Sequence, residues 1–302
     1  MGVRCRRRAE AEFTAEGRAV ADFLHPDRII VGSTDEATMG LLTELHAGVD
    51  GPVQRMDVAS AEMVKLASNA LLATKITFIN EIATVCEATG ADVTQVADAV
   101  GVDHRLGRHF LNAGLGYGGS CFPKDSRALR AMASNTGYSF QLLNAVIEVN
   151  DLQPRRAVQR LKHELGTLHE RRIALLGMTF KPGTDDMREA PSTVLASRLL
   201  AEGASLTSWD PMARPAVGTP PWAATERHST VAEAVTGADA AVIVTEWPQL
   251  REVDWVASRD LMRRPLLFDG RNMLDPTALS RAGYTCMSIG RATTRPEGLY
   301  GS

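Results

Sequence analysis

Arg172–Trp209 reads RIALLGMTFKPGTDDMREAPSTVLASRLLAEGASLTSW, and its rhythm decides the fold class. A short apolar run, Arg172–Leu176, leads through a glycine-containing loop into a helical pattern from Pro191 to Ala201, which Gly203 closes. A second short run, Ser205–Trp209, follows at once. Short apolar runs alternating with helical patterns predict parallel strands buried on both faces and joined by crossover helices. The rhythm repeats downstream, with strands expected at Ala240–Thr245 and Leu266–Asp269 and a helix at Thr230–Thr236 stopped by Gly237. Residues 162–302 are therefore expected to form a doubly wound parallel sheet. The proline-rich loop PMARPAVGTPPW, Pro211–Trp222, is excluded from regular structure.

Upstream the period changes. From Asp57 to Thr89 no Gly or Pro occurs, and apolar side chains recur at Met63, Leu66, Ala70, Leu71, Phe78, Ile82 and Val85. One long helix is expected there, started by Asp57 and ended by Gly90. Its apolar residues spread around much of the circumference, so it needs several helices or another subunit to cover it. A helical middle domain over residues 57–161 follows, with its boundary near Pro154–His169. Before it, RIIVG (Arg28–Gly32) and Glu36–Leu45 read as a strand and a helix, the stub of an α/β unit within residues 1–56. Met1–Arg8 shows no periodicity and reads as a tag or a mobile terminus.

With 302 residues the chain has room for about two independent cores. Its 33 basic and 36 acidic side chains create no field that would gather nucleic acid or an anionic membrane. The start is basic but lacks an apolar signal core, and no run is long enough to span a membrane, so a cytoplasmic protein is expected. The four cysteines, Cys5, Cys86, Cys121 and Cys286, lie far apart without metal-ligand spacing, and the histidines form no ligand motif. Neither a disulfide framework nor a metal site is predicted.

The sharpest local signal is GYGGSCFPKD, Gly116–Asp125. Its glycines allow a ligand close to the backbone, and Pro123 suits a helix start. Cys121 would then lie just before a helix N-terminus, where the dipole and Lys124 favour a nucleophilic thiolate, with Asp125 close enough to assist. A buried cysteine beside a glycine turn is the competing reading, and the segment alone leaves both open. Cys86, by contrast, sits on the apolar pattern of the long helix and reads as core. Lys65 and Asn69 share one face of that helix, a cation among apolar neighbours that either snorkels to water or serves a site. The loop after Leu176 matches no phosphate-binding fingerprint, yet it occupies the strand end where open α/β sheets bind ligands. Lys181, Arg188 and Arg271 all fall at such strand ends and could meet phosphates, with Asp185 and Asp186 available for hydroxyls or ion pairs.

Six ordered segments resemble the UDP-glucose/GDP-mannose dehydrogenase family. They are EFTAEGRAVADFLHPDRIIVG (Glu12–Gly32), KLASNALLATKITFINEIATVCEATGADV (Lys65–Val93), RLGRHFLNAGLGYGGSCFPKD (Arg105–Asp125), LLGMTFKPGTDDMREAPS (Leu175–Ser192), TEWPQLREVD (Thr245–Asp254) and FDGRNMLDP (Phe268–Pro276). GYGGSCFPKD and TFKPGTDD are most like the UDP-glucose 6-dehydrogenase branch. The resemblance implies oxidation of a sugar C6 alcohol to a carboxylate with two NAD molecules. Cys121 would form a thiohemiacetal and then a thioester, Lys65 and Asn69 would stabilise the oxyanion, and Asp125 and Glu12 would handle protons and water. It assigns Lys65, Asn69, Phe110, Leu111, Asn112, Ala113, Gly114, Gly118, Lys181 and Arg271 to the UDP-sugar, with Arg105 reaching a partner subunit's substrate. Glu16, itself counted with the substrate contacts too, Lys124 and Arg188 would contact NAD.

The departures shape the expectation further. The family's N-terminal Rossmann domain, with its glycine fingerprint and acidic ribose partner, is matched in this chain only by its last strand and helix. The expected fold is therefore an N-terminal Rossmann remnant, a helical middle dimerisation domain and a C-terminal doubly wound domain. The chain is read as a truncated UDP-glucose 6-dehydrogenase-type enzyme, or alternatively as a silent remnant that forms a homodimer and binds a UDP-sugar.

Overall fold

The computed structural model describes residues 8–216 and 218–296. Cys5 and the rest of the expected N-terminal tag lie outside them, apart from Arg8, which opens the first strand. The chain divides into two compact units, one comprising residues 1–71 and 125–138 and the other residues 72–124 and 139–302.

The first unit contains a three-stranded sheet of β1 (Arg8–Ala11), β2 (Ile29–Ser33) and β3 (Val53–Met56). Between the first two strands lies α1 (Ala19–Leu24), and α2 (Glu36–Leu45) connects β2 to β3 as a parallel crossover. The antiparallel β1 closes the far edge of β2, an addition to the expected strand–helix stub. Its core is small: Ile29, Val31, Met39 and Leu42 pack together, with Val49 and Val53 against them. Asp35 caps α2 by accepting from the Thr38 N–H at 2.8 Å.

The long helix predicted from residue 57 is α3 (Val58–Thr89), 32 residues, and Asp57 accepts from the Ser60 N–H at its start. Hydrogen bonds from Ser60 hold the Asp57 carboxyl below the ordinary range. The helix crosses from the first unit into the second between Leu71 and Leu72. Next come α4 (Val93–Gly101), α5 (Phe122–Asn135) and α6 (Gln141–Leu165). Helix α6 runs through Pro154 and ends at Leu165, within the stretch where the sequence places the boundary of the middle domain. A proline forfeits one backbone bond, and the buried face of Ala157, Val158, Leu161 and Leu165 continues beyond it to carry the helix on.

The second unit is built on a six-stranded, all-parallel sheet of β4 (Arg172–Leu176), β5 (Ser205–Trp209), β6 (Thr225–His228), β7 (Ala240–Ile243), β8 (Leu266–Asp269) and β9 (Thr285–Ser288). Helices α7 (Pro191–Ala201), α8 (Val231–Val235), α9 (Trp255–Leu261) and α10 (Pro276–Arg281) lie between them. The order β6-β5-β4-β7-β8-β9 reverses direction between β4 and β7, so the sheet is doubly wound. Along β4, Ile173 and Leu175 join the layer of α3, α6 and α7, while Ala174 and Leu176 join that of α8. All four are fully buried, as a strand covered on both faces requires. Strand β6 was not expected from the sequence. Two of the four residues of β6, Glu226 and Arg227, are exposed, so its apolar signal is weak.

Candidate active site

A ligand entering a doubly wound sheet meets the carboxyl ends of its strands at the point where the order reverses. In the second unit that point lies between the loops after β4 and β7, and three further segments converge on it. Gly119 N–H donates to Arg188 O at 3.0 Å, which ties the segment before Cys121 to the loop after β4. A side chain at Gly118 would stand 2.2 Å from Glu189 O, and one at Gly119, whose φ is +84°, would meet the Phe180 ring at 2.7 Å. Glycine is required at Gly118 because a backbone carbonyl fills the space, and at Gly119 because its conformation is left-handed and the Phe180 ring fills the space. Cys121 follows after Ser120, exposed and one residue before α5, with its Sγ 3.6 Å from Ser120 Oγ. Pro123 is the second residue of that helix.

Residues 110–118 are held from beneath by two helix amides. Asn80 of α3 accepts from Gly114 N–H at 2.8 Å, and Asn150 of α6 accepts from Tyr117 N–H at 2.8 Å while donating to Tyr117 O at 3.1 Å. Phe110 adopts a positive φ of 67° and its ring lies 6.1 Å from that of Phe122. Leu111, Ala113 and Gly114 are buried, and Asn112 accepts from Arg108 at 2.8 Å. Arg271, after β8, reaches the same segment: its guanidinium donates to Val244 O at 2.7 Å and to Gly116 O at 3.3 Å, and pairs with Glu246 at 3.2 Å. Asp269 beneath it is buried and accepts from the backbone of Arg271 and Leu274. Desolvation nevertheless pushes its carboxyl above the ordinary range.

The loop after β4 carries Lys181, half-buried with its Nζ 5.3 Å from the centre of the Phe180 ring. Arg188 forks onto Asp186 at 2.8 to 3.1 Å. Asp185 is exposed. The helix that follows, α7, starts at Pro191 with no side-chain cap, which suits a helix N-terminus for an anion. Arg105 stands apart on an exposed turn, where Asp103 binds its guanidinium and thereby raises its pKa.

The other sequence-derived candidates belong to the first unit. Asn69 and Asp125 are both buried and joined by a 2.6 Å bond from the amide to the carboxylate. Lys65 and Arg28 stack on the Phe13 ring, 5.3 and 4.2 Å from its centre, and Arg28 donates to Ser68 at 3.2 Å. Glu12 and Glu16 are exposed, and Glu12 accepts from the Thr14 N–H and hydroxyl. Cys121 precedes α5 by one residue, and Asp125 is the fourth residue of that helix.

Sequence reading missed the anchors Asn80, Asn150, Asp210 and Glu246. A signal existed for two of them: Asn80 and Asn150 interrupt apolar helix faces, where an amide needs a partner. Among the described residues, no group of three or more His, Cys, Asp or Glu side chains could hold a metal ion, and no helix is long and apolar enough to cross a membrane.

Comparison with known proteins matches both parts of this architecture to one family. The central domain of the UDP-glucose/GDP-mannose dehydrogenase family matches residues 59–152, and its UDP binding domain matches residues 174–276. The chain belongs to the UDP-glucose/GDP-mannose dehydrogenase family. Within that family it is similar to the UDP-glucose 6-dehydrogenase YwqF of Bacillus subtilis, 47% identical over 95% of this chain and 65% of that protein. It is also similar to a UDP-glucose 6-dehydrogenase of Pseudomonas aeruginosa, 44% identical over 93% of this chain and 64% of that protein. A solved UDP-glucose dehydrogenase from the hyperthermophilic archaeon Pyrobaculum islandicum superposes with a TM-score of 0.86 at 36% identity, covering 94% of this chain and 63% of that one. The chain thus spans a little under two thirds of the length of these family members. Strands β5 to β8 and most of β4 lie in the part that the family's UDP binding domain matches, and Cys121 in the part that the central domain matches.

Proposed function

We propose that this chain is the sugar-nucleotide-binding, cysteine-bearing part of a UDP-glucose 6-dehydrogenase-type oxidoreductase. The observation that carries this reading is the contact of Gly118 and Gly119, three and two residues before Cys121, with the loop after β4 that bears Lys181 and Arg188. A nucleotide diphosphate at the uncapped start of α7, met by Lys181 and Arg271, would bring its sugar toward residues 110–118 and the exposed thiol. We take Leu111, Ala113 and Gly114 as the wall of that sugar site, with Phe110 and Asn112 at its rim. Residues 1–56, 57–161 and 162–302 then serve as the Rossmann remnant, the helical middle and the UDP-sugar domain.

The chemistry proposed for Cys121 is addition of its thiolate to a C6 aldehyde. A C–S bond forms, the carbonyl π pair moves to oxygen, and that oxygen takes a proton to give the thiohemiacetal. Lys65 and Asn69 are proposed to stabilise the oxyanion, and Asp125 and Glu12 to manage the protons. The bond from Asn69 to Asp125 supports this by fixing the orientation of the amide. Arg105 is proposed to serve a partner subunit's site.

NAD would accept hydride in such an enzyme, but the described residues do not fit it. What this chain matches of the NAD domain is its last strand and helix, and their turn, GSTDE, has no glycine fingerprint and is closed by Asp35, so the described residues offer no cradle for a pyrophosphate. No step is routed through NAD, and contacts to it from Glu16, Lys124 and Arg188 are proposed from the family resemblance alone. That misfit favours a second reading, a chain that binds a UDP-sugar without turning it over. Calorimetric titration with UDP-glucose and with NAD, run separately, tests both: UDP-glucose is expected to bind the more tightly, and tighter NAD binding would reverse the assignment. Turnover on adding NAD would exclude the silent reading.

We further propose self-association through α3, where Met63, Leu71, Phe78 and Val85 are 41 to 62% exposed at near-heptad spacing. Light scattering showing a folded monomer at micromolar concentration would refute it.

A further inference from the structure

In doubly wound sheets that read dinucleotides, an acidic residue beyond the second strand turns outward to the ribose. The corresponding residue of this sheet, Asp210 after β5, is 4% exposed and turned inward. One carboxylate oxygen accepts from Met178 N–H at 2.6 Å, Thr179 N–H at 3.1 Å, the Thr179 hydroxyl at 3.3 Å and the Trp247 indole N–H at 3.0 Å. The other accepts from Met212 N–H at 2.9 Å and Ala213 N–H at 2.7 Å. One buried side chain thus ties together the loops after β4, β5 and β7. Thr245 adds a second tie between two of them, donating its hydroxyl to Thr179 O at 2.5 Å.

We propose that Asp210 is the positioning residue of the ligand edge: its carboxylate clamps the three loops so that the Lys181 loop is ordered before ligand arrives, and it is thereby withdrawn from reading a ribose. This deepens the UDP-sugar reading and rests on it for the ligand, though not for the clamp. Five N–H donors, and the Thr179 hydroxyl shared with Lys181 O at 3.1 Å, converge on a group with about four acceptor sites, so it has no capacity left for a ligand hydroxyl. Charge-assisted bonds to a buried carboxylate are also stronger than neutral ones, which explains why an asparagine would not serve.

The test compares the full chain with Asp210→Asn and with Val231→Ala. The latter is a buried α8 position outside the three loops, studied at a temperature where the two variants are equally stable. Hydrogen exchange followed by mass spectrometry should show peptides covering residues 177–181 and 210–213 opening about tenfold faster in Asp210→Asn, with the strands unchanged, and no such local change in Val231→Ala. UDP affinity, by calorimetry, should fall at least about tenfold in Asp210→Asn alone. Should Asp210→Asn fail to fold, Trp247→Phe and Thr179→Val, which each remove one donor, should give a few-fold acceleration in residues 177–181. Unchanged loop exchange, or equal acceleration in Val231→Ala, would overturn the clamp. A wild-type chain that binds no UDP would overturn the UDP-sugar reading, while the exchange data would still decide the clamp.

Discussion

The two sheets of this chain end in opposite ways at the same topological place, the turn from a strand into its crossover helix. After β2 the turn is short, and its own acid, Asp35, closes the helix N-terminus with bonds to the N–H and hydroxyl of Thr38. After β4 the turn runs from Gly177 to Ala190, the helix start has no side-chain cap, and the acid that ties the turn to its neighbours, Asp210, comes from the next strand end. An acid within the turn uses up the helix N-terminus, whereas one from the next strand orders the turn and leaves that N-terminus for an anion.

The largest expected effect concerns thiols at and away from the ligand edge. Cys121 is exposed beside the glycine turn, whereas burial, with Asp269 nearby, pushes the Cys286 thiol up to about 12. A rise of that size leaves Cys286 roughly a thousandfold less thiolate than an ordinary cysteine. Limited iodoacetamide at near-neutral pH, read by peptide mass spectrometry, should label Cys121 at least about a thousandfold faster than Cys286, with Cys86 also slow. Comparable rates would remove Cys121 from the site.

Glycines sharpen the comparison next. Gly119→Ala would put a methyl within 2.7 Å of Phe180 in a left-handed conformation and should cost about 2 kcal/mol or more in urea unfolding. Gly48, beyond α2, has a φ of +97° but open space around it, so Gly48→Ala should cost only about 1 kcal/mol. Equal costs would mean that the close approach before Cys121 is not rigid.

A paired substitution tests the two strand ends directly. Lys181→Ala should weaken UDP-glucose binding about tenfold and hardly change stability. Asp35→Ala should do the reverse, costing about 1 kcal/mol of stability through the lost cap and leaving UDP-glucose affinity unchanged. An effect of Asp35→Ala on affinity would break the contrast.

The smallest effect lies away from both edges. Arg295 hydrogen-bonds Glu164 and, with Arg264, holds its carboxyl below the ordinary range. The folded value lies below the unfolded one, so this stabilisation is present above about pH 4 and is lost as the pH falls through the lower folded value. Glu164→Gln should therefore lose slightly less stability than the native chain between about pH 5 and pH 3 in thermal melts, and added salt should shrink the difference. A steeper loss in the variant would reverse the sign.

Local signals carried much of this protein. Apolar runs of four or five residues placed β2, β4, β5 and β8, the uninterrupted stretch after Asp57 placed α3, and the pattern from Glu36 to Leu45 placed α2. Cys121 was likewise legible, because glycines before it and Pro123 after it mark a turn entering a helix. Strand β6 was not, since Glu226 and Arg227 face outward and only pairing with β5 extends it. Nor was the anchoring of the ligand edge. Asn80 meets Gly114 across 34 residues, Arg271 meets Gly116 across 155, and Asp210 meets Met178 and Trp247 across 32 and 37. A helix or strand repeats every few residues and so writes its period into the sequence. A buried carboxylate or amide finds its partners only when distant strand ends have been brought together, and that is decided by packing.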